Sequence, residues 1–414
     1  MTTYKSDFLH ELSERGFIQD ISDAEALDER ARSSKITAYI GFDCTAPTLH
    51  VGSLLPIMML YWLQQTGHRP IALMGGGTTR VGDPSGKDES RRLLTDELIN
   101  ENLKGIRAVF AKFLKFEDVG GGAIMANNAD WLNTFNYIDF LRDIGRHFSV
   151  NRMLAFDSVK LRLDREQELS FLEFNYMILQ AYDFVELHKR YGCVLQMGGS
   201  DQWGNILNGI DLGRRALQAK LFGVISRLIT TSSGSKMGKT AAGAIWLNPK
   251  MTSQFEFWQF WRNTDDGDVV RFLKLFTTLP LSDITRFAGV EGEELNEAKD
   301  MLARHVTTQI YGEEVAKQLA ATARRPYAIG SLDESLPTLP VKIGDGVASA
   351  NTQLGFSFSN REARQFVRDG AVYLGDRLIV DPDYKFQPGD FDDAGRVLLR
   401  TGNRKRAILK LTSE

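Results

Sequence analysis

The chain has 414 residues, 43% hydrophobic and 25% charged, an ordinary globular composition too long for one core and suited to two or three domains. The net charge of −3 argues against a phosphate-binding surface over the whole molecule. It leaves room for a local one, because Arg396, Arg400, Arg404, Lys405, Arg406 and Lys410 gather near the end against Glu414. Cys44 and Cys193 are too few for a disulfide framework and point to a reducing cytoplasm, and Lys5, Asp7, Glu11, Glu14 and Arg15 leave no apolar run for a signal peptide. No stretch is long and apolar enough to span a bilayer.

Short apolar runs alternate with longer segments of helical periodicity through the first half. Strands are predicted over 37–43, 70–74, 123–127, 192–197 and 222–229, with helices over 52–65, 95–113 and 170–191 between them. That order predicts an α/β fold, a doubly wound parallel sheet (Rossmann-like) over 1–229, whose ligands sit beyond the carboxyl ends of the strands. Helical segments at 253–261, 268–277, 281–288 and 293–323 predict an α-helical domain over 230–326. Gly, Ser, Asp and Pro between 327 and 340 suggest a linker, taken to run over 327–346. The remainder, 347–414, reads as a small α+β domain with a basic helix at 360–368 and hairpins over 371–380 and 397–411.

The junction after the first strand carries Tyr39, Gly41, Asp43, Thr45, His50, Gly52 and Ser53. Glycines there admit a ligand close to the backbone, and the following helix N-terminus suits a phosphate, with His50 able to donate to an oxygen that gains charge. A strand–helix turn with an incidental histidine would look the same. The glycine-rich loop 75–87 fails the Walker pattern, since Val81 and Asp88 stand where Gly and Ser or Thr are needed. It does supply Asp83, then Lys87 and Arg91, an acid for an amino group and cations for a departing pyrophosphate.

Ser170 and Glu173 form a capping box that starts a helix apolar around most of its circumference. Glu173, Tyr176, Gln180 and Asp183 make a polar stripe on it, which is either a solvated face or, on a buried helix, a set of groups needing a polar ligand. Asn128 and Trp131 follow the third strand, Asp201 and Gln202 follow the fourth in a Gly-Ser-Asp-Gln turn, and Lys236 and Lys239 sit on a Gly-rich loop at 232–243. Two lysines on a mobile loop can close over a triphosphate and then open.

Taken in order, these stretches resemble the class I aminoacyl-tRNA synthetases, and most closely the bacterial tyrosyl-tRNA synthetases. His50-Val51-Gly52-Ser53 is similar to the first class I signature with Ser53 in place of its second histidine, and Lys236-Met237-Gly238-Lys239-Thr240 to the second. The resemblance implies that ATP and tyrosine form tyrosyl-adenylate, which is then transferred to the 3′ end of tRNA(Tyr), with Mg²⁺ carried on the ATP. It assigns catalysis to Thr45, His50, Lys87, Arg91, Lys236 and Lys239, and ATP contacts to Gly41, Asp43, Gly52, Ser53, Asp201 and Lys239. Asp83, Tyr176 and Gln180 would hold the tyrosine amino group, Tyr39 and Asp183 the phenol, with Gln202, Asn128 and Trp131 beside them. The region 359–380 resembles an αL-type RNA-binding domain, in which Arg361, Arg364 and Arg368 would meet tRNA phosphates, with Arg404, Lys405 and Arg406 as further candidates. The family is homodimeric, and 138–153 resembles its dimer region. The competitors are the tryptophanyl sister enzyme and a synthetase-like RNA-binding protein without activation activity. Tyr39, Asp183 and the RNA-binding tail weigh against the first, and the lysine loop with Asp201 against the second.

Overall fold

The structure is a computed structural model that describes residues 4–84, 94–116, 122–232, 234, 237–240, 243–324, 336–375, 377–392, 394–402 and 405–412. The chain divides into two compact units, one of residues 1–247 with 265–295, the other of 248–264 with 296–414. The expected boundary after residue 229 therefore falls inside the first unit, and the helical segments are shared between the two.

The first unit is built on a six-stranded sheet in the order β1-β6-β5-β2-β3-β4. Its strands are β1 (Ile18–Ile21), β2 (Thr37–Phe42), β3 (Arg69–Met74), β4 (Ile124–Asn127), β5 (Cys193–Gly199) and β6 (Phe222–Ser226). All neighbours are parallel except β1, which runs antiparallel along β6. The sequence reading missed β1 because Ile-Gln-Asp-Ile is only half-buried, as suits a strand on the sheet's edge. Ile71, Ala72, Leu195 and Val224 are wholly buried, which explains the continuous apolar runs of the central strands.

The helices Leu54–Gln65, Asp96–Phe110, Phe171–Tyr191 and Trp203–Leu217 follow the strands or connect them. The expected start at Gly52 is tighter: Val51–Ser53 is a 3₁₀ turn, and the α-helix begins at Leu54. Gly105 lets the Asp96–Phe110 helix approach the segment after β2, where any Cβ would lie 1.8 Å from the Pro47 carbonyl oxygen. Arg15 ties the first helix (Asp7–Arg15) to the 265–295 segment by donating to the carbonyls of Lys274, Thr277 and Leu279.

In the second unit the predicted helix over 293–323 is two helices, Gly292–Tyr311 and Glu313–Arg324, parted at Gly312 with φ +90°. The expected linker also needs correction. Residues 327–335 lie outside the described residues, but β9 (Thr338–Val341) is a strand of a five-stranded sheet ordered β11-β10-β12-β13-β9. It pairs parallel with β13 (Lys405–Leu411), which is antiparallel to β12 (Arg396–Thr401), with β10 (Val372–Leu374) and β11 (Arg377–Leu378) beyond. Ala363 and Val367 anchor the helix Asn360–Arg368 in the core of this sheet domain, leaving Arg361, Arg364 and Arg368 exposed.

Candidate active site

The carboxyl ends of β2, β3, β5 and β6 open into a cleft of about 510 Å³. It is lined by Tyr39, Gly41, Asp43, His50, Gly52, Ser53, Asp83, Asn128, Tyr176, Gln180, Asp183, Asp201 and Gln202. Residues spread over the sequence from 39 to 202 thus converge as expected. Thr45 does not join them; it is exposed on the segment after β2 and outside the cleft lining. Lys87, Arg91 and Lys236 lie outside the described residues, and Lys239 is described only as backbone, in the short strand β7 (Lys239–Thr240) paired with β8 (Gly243–Ala244).

At the closed end, Asp183 is fully buried on the Phe171–Tyr191 helix and its carboxylate is held from two sides. Trp131 Nε1 donates to Oδ1 at 2.7 Å and Asn128 Nδ2 to Oδ2 at 2.9 Å. Burial nevertheless pushes its carboxyl up to about 7, against the downward pull of those two donors. Beside it the Tyr39 hydroxyl, on β2, is buried with no hydrogen-bond partner among the described residues. Its pKa is raised well above the usual phenol value by burial and then by the Asp183 charge. A buried hydroxyl without a partner costs free energy, and a ligand hydroxyl placed between Tyr39 and Asp183 would recover it. The polar stripe is therefore not solvated: Glu173, Tyr176 and Asp183 are buried, and Gln180 faces the cleft.

Glu173 serves the helix start rather than the cleft. It accepts from the Ser170 backbone N–H at 3.2 Å while Ser170 Oγ accepts from the Glu173 N–H, as the capping box predicts.

A chain of amides and acids occupies the middle of the cleft. Gln202 Nε2 donates to Asp83 Oδ2 at 2.8 Å, Gln180 Nε2 donates to Gln202 Oε1 at 3.1 Å, and Tyr176 OH donates to Asp43 Oδ1 at 3.4 Å. Asn205, missed from the sequence, steadies both glutamines by donating to Gln180 Oε1 at 3.0 Å and Gln202 Oε1 at 3.3 Å. Gln196 was missed too; it lines the cleft from β5, its buried Oε1 without a hydrogen-bond partner among the described residues. Thr78 also lines the cleft and accepts from Asn128 Nδ2 at 2.9 Å, while Asn128 Oδ1 accepts from the Gly77 N–H at 2.7 Å. Isolated amides and a threonine carry no periodic signal, so nothing in the sequence marks them.

At the open end, the backbone N–H of Gly52 donates to His50 Nδ1 at 3.0 Å. That bond places the imidazole proton on Nε2, the nitrogen able to donate to a ligand. The junction is clamped to the loop that carries the lysine run: His50 bridges Trp246, Val51 N donates to Ile245 O at 2.9 Å, and Leu247 N donates to Leu49 O at 2.8 Å. Met237, between the two lysines, lines the same cleft.

A parallel sheet whose strand ends carry a histidine-bearing helix start, a ribose-competent Gly-Ser-Asp turn and a lysine loop defines a nucleotide-using enzyme of the class I synthetase type. A family model described as tRNA synthetases class I (W and Y) matches residues 31–328, and the chain belongs to that family. Within it the chain falls in the tyrosine branch. It is 56% identical to the tyrosine–tRNA ligase of Brucella abortus (strain 2308) over 99% of this chain and 100% of that protein. It is 55% identical to the tyrosine–tRNA ligase of Rhizobium meliloti (strain 1021) over the same shares. Among solved structures, a C-terminally truncated mitochondrial tyrosyl-tRNA synthetase of Aspergillus nidulans superposes with TM-score 0.69 at 32% identity, covering 77% of this chain and 94% of that one. This result does not favour the tryptophanyl or the non-activating alternative. Among the described residues no helix is long and apolar enough to cross a membrane.

Proposed function

We propose that the cleft carries out both halves of the tyrosine–tRNA ligase reaction with the residues gathered in it. Tyr39 and Asp183 receive the phenol hydroxyl, and Asp83, Tyr176, Gln180 and Gln202 receive the amino group. The observation that carries this reading is the buried hydroxyl of Tyr39, without a hydrogen-bond partner among the described residues, next to a buried carboxylate already fixed by Trp131 and Asn128. A phenol satisfies both, whereas a phenyl ring would leave them desolvated and unpaired.

In the first step a tyrosine carboxylate oxygen bonds to the α-phosphorus of ATP as the α–β bridging P–O bond breaks. Pyrophosphate leaves with the electron pair, and no enzyme-bound covalent intermediate forms. His50 Nε2–H stabilises charge on the phosphates, and Asp201 takes ribose hydroxyls at the end of β5. Lys87, Arg91, Lys236 and Lys239 belong to the same assignment as contacts of the triphosphate, with Mg²⁺ entering on ATP as part of the substrate. In the second step the 3′-terminal ribose hydroxyl of tRNA bonds to the carbonyl carbon as the anhydride C–O bond breaks, AMP leaving with the electron pair and the hydroxyl proton passing to its departing phosphate. Positioning and charge stabilisation supply the rate in both steps.

Arg361, Arg364 and Arg368, with Arg404, Lys405 and Arg406, are assigned to tRNA phosphates, supported by the exposed basic face of the Asn360–Arg368 helix. A homodimer is part of the same reading, supported by exposed apolar side chains at Tyr137, Ile138 and Val150, which are 60%, 66% and 59% accessible. So is a cytoplasmic site of action, supported by the unpaired thiols of Cys44 and Cys193. The test is ATP–pyrophosphate exchange with each amino acid in turn. Tyrosine alone should drive it, and exchange driven equally by tryptophan or phenylalanine would sink the phenol assignment.

A further inference from the structure

A second cavity of about 510 Å³ lies in the first unit and shares Leu55, Ser226, Arg227, Leu228 and Ile229 with the substrate cleft. The two therefore adjoin at the end of β6, whose last residues line both. The walls of the second are mixed: Phe17, Ile18, Val270 and Leu275 are apolar, while Arg15, Arg271 and Lys274 are cationic and Glu14 is acidic. Most of these cations already have work within the protein. Arg15 is committed to Glu11 and to carbonyls of the 265–295 segment, and Arg271 Nη2 donates to Thr230 O and Asp268 Oδ1. Lys274 Nζ donates only a single 3.2 Å bond, to Glu14 O.

Arg227 differs. It is the first residue past β6, it is exposed, and among the described residues it has neither a hydrogen-bond nor an ion-pair partner. A guanidinium at the saddle between two cavities is a ready phosphate ligand with a planar fork of donors. The transfer step requires a 3′-terminal ribose inside the substrate cleft, so the nucleotide before it has to leave that cleft through a neighbouring opening. A mixed apolar and cationic groove is the surface that unpaired nucleotides take, bases on the apolar walls and phosphates on the cations.

We propose that the second cavity seats the penultimate unpaired nucleotide of the tRNA 3′ end, with Arg227 holding the phosphate that links it to the terminal adenosine and Lys274 adding charge at the rim. Arg227 acts in this way as a positioning residue for the transfer step and takes no part in adenylate formation. The inference rests on the reading of the first cleft as the adenylate site, and charging by the wild-type protein in the same assay tests that reading separately.

The experiment compares the full-length wild type with Arg227→Ala, Arg227→Lys and Lys274→Ala, in tyrosine-dependent exchange and in tRNA charging. In Arg227→Ala the KM for tRNA should rise about tenfold, with the KM values for ATP and tyrosine in exchange unchanged, which also reports an intact fold. Arg227→Lys should recover part of the loss. The slope of log affinity for tRNA against log salt should fall by about 0.7, the contribution of one single-stranded phosphate. A purely structural role would not move that slope. A rise in the KM for ATP in exchange would make Arg227 an ATP contact and overturn the proposal, as would an unchanged KM for tRNA and salt slope.

Discussion

The Trp131 indole N–H donates to Asp183 Oδ1 at 2.7 Å, joining the turn after β4 to the middle of the Phe171–Tyr191 helix. With Asn128 on the other oxygen, the carboxylate is fixed before any ligand arrives. Its remaining lone pairs point the specificity of the cleft toward a hydroxyl donor.

Tyr39→Phe is the cleanest probe of that arrangement, because the hydroxyl it removes has no hydrogen-bond partner among the described residues. Thermal stability should hold or rise slightly. Discrimination between tyrosine and phenylalanine in exchange should fall about tenfold or more, from the loss of one buried hydrogen bond worth roughly 1–2 kcal/mol. Selectivity equal to wild type would remove Tyr39 from the phenol site. Asp183→Ala should cost more selectivity, and some stability as well, since it orphans the Trp131 and Asn128 donors.

The Asp183 carboxyl titrates near 7 because it is buried. Only the ionised form can accept from Asn128, Trp131 and the phenol together, so tyrosine binding should tighten as pH rises from about 6 to about 8 and then level off. Isothermal titration at several pH values should record proton release on binding near pH 6.5, absent in Asp183→Asn. The stability sign is opposite. A carboxyl raised from 3.8 to about 7 lends stability that is complete below 3.8 and is lost as pH rises through 7. The unliganded protein should therefore lose ground against Asp183→Asn across that window in chemical denaturation.

His50→Asn keeps an acceptor near the Gly52 N–H but removes the Nε2–H donor. The rate of adenylate formation should drop roughly 10²-fold with a much smaller change in the KM for tyrosine, as expected when a donor acts mainly in the transition state. Single-turnover kinetics separates the two. A pure KM effect would reduce His50 to a ground-state contact.

Asn205 steadies Gln180 and Gln202 without lying in the cleft lining itself. Asn205→Ala should raise the KM for tyrosine by about fivefold and leave the preference over phenylalanine untouched, because the phenol end is held elsewhere. Loss of phenylalanine rejection in this variant would contradict the division of the cleft into two ends.

For the proposed dimer, Ile138→Glu places a charge among the exposed apolar side chains at 137–150. Sedimentation should show dimers for the wild type and monomers for the variant at micromolar concentration. A monomeric wild type would leave the patch needing another occupant.

Much of the site was legible because its chemistry sits in compact strings at strand ends, such as His50 to Ser53 and Gly198 to Gln202. The buried parallel strands announced themselves as apolar runs. What escaped has a physical cause in each case. β1 is half-exposed on an edge, β9 hides in a Pro-containing stretch, and the helix break at Gly312 follows from one residue's φ. Gln196, Asn205 and Thr78 act through contacts across the fold, for which a sequence has no local mark.

The parallel pairing of β9 with β13 bears on how the protein is made. Ile408 lies opposite Thr338, so the strand that opens this sheet waits for the one that closes it. During synthesis β9 emerges first and stays an unpaired edge until residue 411 has cleared the ribosome, whereas the sheet of the first unit, whose last strand is β6, can close long before. Loop-closure entropy makes the pairing slow, and an early stop that removes β13 would strand an exposed edge and a bare apolar face at Val372, Val397 and Leu399. A truncated nascent chain would then carry a finished nucleotide-binding sheet beside a sticky, unclosed one, the kind of product that chaperones and proteases remove.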